Sequence, residues 1–300
     1  MSHNHNHELK NYNKAFAIGV VLNLIFVIIE GWYGITSDSL ALIADAGHNL
    51  SDVFALLLAW GANLIASKHP TEKRTYGFKK ITILASLASS ILLLTALGGI
   101  AYEAMGRFSN PQPIHGMTVI AVAAIGVVIN TATALLFVSG QKEDLNIKGA
   151  FLHMAADAGV SLGVVAAGIF IMVTGALWVD PALSLLIVVV ILIGTWGLFR
   201  DSLNLSLDAA PGHIDLPGIK SYLTKTNGVT GIHDLHIWAL STQETALTVH
   251  LVMTTNSIDN DFLWKTQQKL HDRFGIEHAT IQVEMESPTT RCMLNPNDCQ

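Results

Sequence analysis

The sequence predicts a polytopic helical membrane protein that ends in a small mixed α+β domain. Three observations carry this. Of the 300 residues, 51% are hydrophobic and only 13% charged, about half the charged share of soluble domains. The uncharged residues are grouped into runs at 15–29, 53–67, 81–102, 116–141, 158–179 and 181–199. From about residue 208 the pattern changes to short alternating segments separated by turn residues.

A helix needs roughly 20 residues to cross the hydrocarbon core, and helices are the economical way to satisfy backbone groups there. With their polar flanks, the six runs predict spans near 14–35, 38–67, 78–106, 115–139, 147–174 and 179–200. The chain thus divides into a histidine-bearing tail at 1–13, a six-helix domain at 14–207, a small domain at 208–287 and a cysteine-bearing tail at 288–300. The opening MSHNHNHELK is polar and no small-residue cleavage site follows the first apolar run, so that run is expected to stay as a span.

Six spans put both termini on one side. Lys10, Lys14, Lys68, Lys73, Arg74, Lys79, Lys80, Lys142, Lys148 and Arg200 then share that side, and only Arg107 lies opposite. Cations in short loops mark the cytoplasm, so both termini are expected inside. Residues 201–300 hold 6 Lys and Arg against 12 Asp and Glu. That acidic tail argues against nucleic acid and against docking on anionic lipid.

The stretch ALIADAGHNLSDV at 41–53 places Asp45, His48 and Asp52 within an apolar region. His48 and Asp52 are four apart, as are His153 and Asp157 in the fifth span, and side chains four apart share a helix face. From the predicted boundaries, the first pair lies roughly 18 Å below the outer face and the second roughly 12 Å above the inner one. In a core of about 30 Å these depths coincide. Two imidazoles and two carboxylates at one level suit tetrahedral Zn²⁺. In a soluble helix such a pattern would be chance or a surface pair. A central Asp costs roughly 2.5–3.5 kcal/mol to insert, which makes function the better reading in a membrane. Asp45, one turn before His48, is expected to orient its ring.

In the last hundred residues the periodicity predicts a helix over 215–226, strands over 232–240 and 246–253, a helix over 258–273 and a strand over 280–285, the order αββαβ. His213, His233, His236, His250, His271 and His278 all fall here. His236 reads as a half-buried strand residue, and His271 and His278 as surface residues. Cys292 and Cys299 are six residues further apart than a direct neighbour pair, wider than a usual zinc knuckle. His3, His5 and His7 form a polar tract that gathers Zn²⁺ loosely or is a plain solvated tail. The loop SKHPTEKRTYGFKK, with His69 and Glu72, reads as solvated. ADAG recurs at 44–47 and 156–159, but its offset conflicts with that of the two His–Asp pairs, so no duplicated half is inferred.

ALIADAGHNLSD and FLHMAAD, on spans two and five of six, together with RTYGFKK, HDLHIW and HATIQVE, make the chain resemble the cation diffusion facilitator family. It looks most like the bacterial zinc-efflux branch, over nearly its whole length. The resemblance implies a secondary transporter, not an enzyme, that exports Zn²⁺, and often Cd²⁺, in exchange for protons from a homodimer in the inner membrane. It makes His48, Asp52, His153 and Asp157 the transport ligands. The αββαβ segment looks like the family's ferredoxin-like cytoplasmic domain, through which subunits pair. His233, His250 and Glu284 match a cytoplasmic metal site there, where Zn²⁺ would be a structural or regulatory ion. Gln282 stands where relatives have a further histidine, and some relatives use a C-terminal cysteine pair such as Cys292 and Cys299. The competing readings are a membrane-bound zinc sensor and an intramembrane metalloenzyme, the latter disfavoured because four ligands close the shell and no HExxH occurs.

Overall fold

The computed structural model describes residues 13–138, 145–254 and 260–285. The N-terminal histidine tract, Cys292 and Cys299 lie outside the described residues. Six long helices come first: α1 (Asn13–Thr36), α2 (Leu40–Ala66), α3 (Ile81–Ser109), α4 (Gly116–Phe137), α5 (Leu145–Thr174) and α6 (Val179–Ser206). Five of them, α2 to α6, are long and apolar enough to cross a membrane, and Val21–Thr36 is a shorter apolar stretch of α1. At 24 residues, α1 as a whole has the length of a span. Then follow α7 (Leu216–Thr224), β1 (Val229–Ala239), β2 (Thr245–Met253), α8 (Asn260–Phe274) and β3 (His278–Met285). Each predicted element of the small domain is present, its ends displaced by a few residues.

The chain forms two compact units: 1–57 with 89–196, and 58–88 with 197–300. In the first unit, large apolar side chains such as Trp32, Ile35, Val173 and Ile193 point outward, while Glu30, Asp45, Asn49, Asn130, Asp157 and Ser161 are buried. A soluble bundle does the reverse. Lipid has no water to offer a backbone or a charge, so polar groups turn to the interior and find one another.

Small residues let the helices approach. A Cβ on Gly126 of α4 would lie 2.6 Å from Phe26 Cζ and 2.9 Å from Ser161 Oγ. One on Gly168 of α5 would lie 2.7 Å from Ile120 Cγ1. Close backbone approach replaces the hydrophobic driving force that is absent between helices in lipid.

At the other end of the packing, Asp180 in the first turn of α6 caps α2. Its carboxylate accepts from Leu40 N at 2.9 Å, Ala41 N at 3.3 Å and Ser39 Oγ at 2.7 Å. These donors are among the first amides of α2, which no helical carbonyl satisfies. The lone cation assigned to the outer side, Arg107 of α3, pairs with Asp38 in the α1–α2 turn at 2.8 Å and with Glu103 at 3.2 Å.

In the second unit the sheet order is β1-β2-β3, with β1–β2 antiparallel and β2–β3 parallel. Alternation sends Leu247, Val249 and Leu251 into a core with Ile219, Leu223 and Leu270. Thr248, His250 and Val252 face the other way. Asp215 caps α7 by accepting from Gly218 N at 3.0 Å. The loop at 67–80 is not wholly solvated: Lys79 pairs with Glu244 and Lys80 with Asp208.

The Asp180 cap has a direct test. Asp180→Ala leaves buried donors unpaired and is expected to cost about 1–3 kcal/mol. The loss should appear as an earlier unfolding midpoint of the detergent-purified protein, with Asp180→Asn, which keeps one acceptor oxygen, losing less.

Candidate metal sites

In the first unit, α2 and α5 bring His48, Asp52, His153 and Asp157 together. His48 Nε2 lies 3.6 Å from Asp52 Oδ2 and 3.8 Å from Asp157 Oδ1. His153 Nε2 lies 3.1 Å from Asp52 Oδ2 and 3.6 Å from Asp157 Oδ2. The groups therefore alternate around a ring, imidazole and carboxylate in turn, with both histidines presenting Nε2. The imidazoles meet edge to face, with centroids 5.9 Å apart.

Those spacings can be compared with what an ion needs. Zn–N and Zn–O bonds of about 2.0–2.2 Å imply tetrahedron edges of roughly 3.3–3.6 Å. Four of the six edges of such a tetrahedron, 3.1 to 3.8 Å and counted to either oxygen of Asp157, bracket that range, and single donor atoms of His48, His153 and Asp157 lie within 4.8 Å of one another. Asp157 is buried, with a side-chain exposure of 4%, whereas His153 is 42% exposed. Burial is thus uneven around the ring, greatest at Asp157. Asp157 Oδ2 is buried without a hydrogen-bond partner, and the buried Asp52 Oδ2 has His153 Nε2 beside it at 3.1 Å. A carboxylate oxygen left without a donor in a buried ring is what a cation would satisfy.

Asp45 does not take its expected place. Its Oδ2 accepts from Ser161 Oγ at 3.1 Å, and His48 Nδ1 has no hydrogen-bond partner. One turn separates Asp45 from His48, but α5 offers Asp45 a closer hydroxyl. Its neighbour is Glu30 of α1, whose carboxyl comes within hydrogen-bonding distance. The spacing of the His–Asp pairs does not single out Glu30. A buried carboxylate in the first span was the available signal.

The second unit gathers a second group on the sheet face away from its core. His233 on β1 and His250 on β2 are directly paired across the strands, their ring centroids 4.9 Å apart. Glu284 on β3 reaches both: Oε2 lies 3.1 Å from His233 Nε2, and Oε1 lies 2.9 Å from His250 Nδ1. Burial works to raise the Glu284 carboxyl. The hydrogen bond and charge of His233, the hydrogen bond from Gln282 and the charge of His250 outweigh it and hold Glu284 below its ordinary range.

Gln282 adds no imidazole. Its Nε2 donates to Glu284 Oε1 at 3.0 Å, so it fixes the carboxylate. Asp234 was not anticipated. It occupies the left-handed region, φ 52°, where β1 slips register between His233 and His236, a bulge that re-aims neighbouring side chains. Its oxygens lie 2.7 Å from His236 Nε2 and 3.4 Å from His250 Nε2. His236 is exposed, not half-buried as its strand position suggested, because the bulge turns it outward. His271 and His278 are exposed, as are His69 and Glu72 in the 67–80 loop.

A chain with an inward-facing cation ring among apolar spans, followed by a small metal-competent domain, has the build of a membrane carrier for metal cations. Residues 16–205 match the family model described as the cation efflux transmembrane domain, and residues 211–286 match that for the cation efflux protein, cytoplasmic domain. The chain belongs to the cation efflux family, the cation diffusion facilitators, whose members are membrane transporters and not enzymes. It is 39% identical over 284 residues to the metal cation efflux system protein CzcD of Cupriavidus metallidurans, covering 94% of this chain and 90% of that one. It is 35% identical to a cadmium, cobalt and zinc/H(+)-K(+) antiporter of Bacillus subtilis, covering 96% of this chain and 93% of that one. It is 34% identical to the zinc transporter ZitB of Escherichia coli, covering 95% and 93%. A solved metal-bound C-terminal domain of the CzcD transporter is 40% identical over 24% of this chain and 99% of that chain, with a TM-score of 0.22.

The Gln282–Glu284 contact generates a prediction. Partners that orient a ligand are worth about 10–100-fold in metal affinity. In a His48→Ala background, which silences the ring in the spans, Gln282→Ala is expected to weaken zinc binding at the sheet face by about tenfold, read by competition with a chromophoric chelator.

Proposed function

We propose that this chain exports Zn²⁺, and Cd²⁺ with it, from the cytoplasm in exchange for protons. The observation that carries the reading is the ring of two imidazoles and two carboxylates closed between α2 and α5 within otherwise apolar spans. Relatives of near-full-length similarity named for zinc transport and for cadmium, cobalt and zinc antiport support it.

In this reading His48, Asp52, His153 and Asp157 take the ion as substrate. Cytoplasmic metal enters the ring, the helices rock, and the ring opens to the outside. Four good ligands hold Zn²⁺ tightly, so release needs a competitor. Protons serve, because a protonated imidazole cannot ligate and metal affinity falls as ligands protonate. The oxygen and nitrogen donor set also admits Cd²⁺ and Co²⁺, since ligand type alone discriminates weakly among divalent ions.

The remaining assignments follow the same reading. Residues 14–207 form the inner-membrane domain with both termini in the cytoplasm, the orientation that the Lys and Arg bias supports. Residues 208–287 form the cytoplasmic domain, through which two chains pair. His233, His250 and Glu284 bind Zn²⁺ there as a structural or regulatory ion. Cys292 and Cys299 on the 288–300 tail are candidate thiolate ligands for the same metal.

Transport of ⁶⁵Zn²⁺ into inverted vesicles tests the ring. His48→Ala and Asp157→Ala are each expected to abolish uptake while membrane expression is retained; wild-type rates would sink the assignment. Acidifying the vesicle lumen should speed uptake, and the affinity of purified protein for zinc should fall toward low pH with a slope approaching about two decades per unit, because two imidazoles compete with protons. Indifference to a pH gradient would remove protons from the exchange.

A further inference from the structure

A second buried polar group adjoins the ring and is built only from oxygen and amide donors. Glu30 on α1 and Asp45 on α2 are 0% and 1% exposed, and their carboxyl groups come within hydrogen-bonding distance of each other. Both oxygens of Glu30 and Oδ1 of Asp45 have no donor. Asn49, one turn after Asp45, is fully buried within reach of Glu30, and neither atom of its amide is paired. Ser161 on α5 holds the other Asp45 oxygen.

Among the described residues, the charged neighbours that act on these two carboxyls are themselves carboxylates. Asp157 of α5 is the further carboxylate whose charge reaches Glu30. Arg107 of α3 is committed to Asp38 and Glu103, and Asp180 of α6 caps α2. Among the described residues, two buried carboxylates thus meet with no Lys or Arg between them. They cannot both be ionised.

We propose that Glu30 and Asp45 form a proton-binding pair, distinct from the His–Asp ring, that holds one proton and gives it up when metal fills the ring. This deepens the exchange reading above and rests on it for the coupling, though not for the pair itself. The donor count favours a proton over an alkali ion. One proton on either carboxyl bonds to the other, and the Asn49 amide can then donate to the free Glu30 oxygen. That leaves one N–H and the amide oxygen of Asn49 unsatisfied. An alkali ion would leave the Asn49 N–H groups facing a cation. The link to metal is electrostatic. Asp157 raises the negative potential at Glu30 when the ring is empty, and a divalent ion bound to Asp157 reverses it. Metal therefore favours loss of the proton, and by linkage the proton opposes metal.

Infrared difference spectra of the full-length protein in H₂O and D₂O at neutral pH provide the test. The expected result is a protonated-carboxyl band in the metal-free protein that shifts in D₂O, disappears on adding Zn²⁺, and is absent from Glu30→Gln. Asp45→Asn provides the second variant and should remove or displace the same band. Zinc-driven proton release, followed with a pH dye, should fall by about one proton per chain in Glu30→Gln. The proposal is overturned if the wild type has no such band, if the band survives both substitutions, if it persists with zinc bound, or if K⁺ or Na⁺ occupies the pair in its place. His48→Ala separates this outcome from the transport reading. It should lose zinc flux yet keep the band; normal flux in His48→Ala would remove the ring assignment while the Glu30→Gln spectrum still decided the pair.

Discussion

The absence of water inside a lipid bilayer is the constraint on which the rest depends. A carboxylate placed there must find its counter-charge within the protein. The membrane unit answers by turning its apolar side chains outward and bringing Asp52 and Asp157 against two imidazoles. No lysine or arginine of the described residues completes that ring, so the missing positive charge is left to something that can come and go. A structural ion pair would have filled the place permanently. The same constraint acts on the buried pair Glu30 and Asp45, which among the described residues have carboxylates and an amide as neighbours.

Geometry makes the constraint useful. The ring closes only if α2 and α5 reach one level and approach closely. The first condition is met by the depth of the two His–Asp pairs in antiparallel spans. The second is met by the side chains themselves, which reach across between α2 and α5, while glycines set the spacing of α4 against its neighbours: Gly126 lets Phe26 of α1 and Ser161 of α5 come within contact of α4, and Gly168 of α5 does the same for Ile120. Bulkier residues at those positions would hold α4 away from α1 and α5.

Much of this was legible from residue spacing. Charge-free runs marked the spans, and a repeat of four between His and Asp, twice, marked the ring. Period-two alternation marked β2 and hence which face His250 would occupy. Other features were not legible, for physical reasons. Asp45 pairs with Ser161, 116 positions away, and no local pattern announces a hydroxyl on another helix. Asp180 caps a helix that begins 140 residues earlier. The bulge at Asp234 depends on cross-strand register, and with it the exposure of His236. Gln282 looked like a missing ligand, yet in the fold it is a brace for Glu284.

The cap by Asp180 has a mechanical consequence. It ties the first amides of α2 to α6, eight residues before His48, a lever arm of about 12 Å at 1.5 Å per residue. A tilt of α2 by about 10° around that fixed point would carry His48 sideways by about 2 Å, the length of one metal–ligand bond. Small rotations about the capped end of α2 are thus enough to change the spacing of the ring by the length of one such bond.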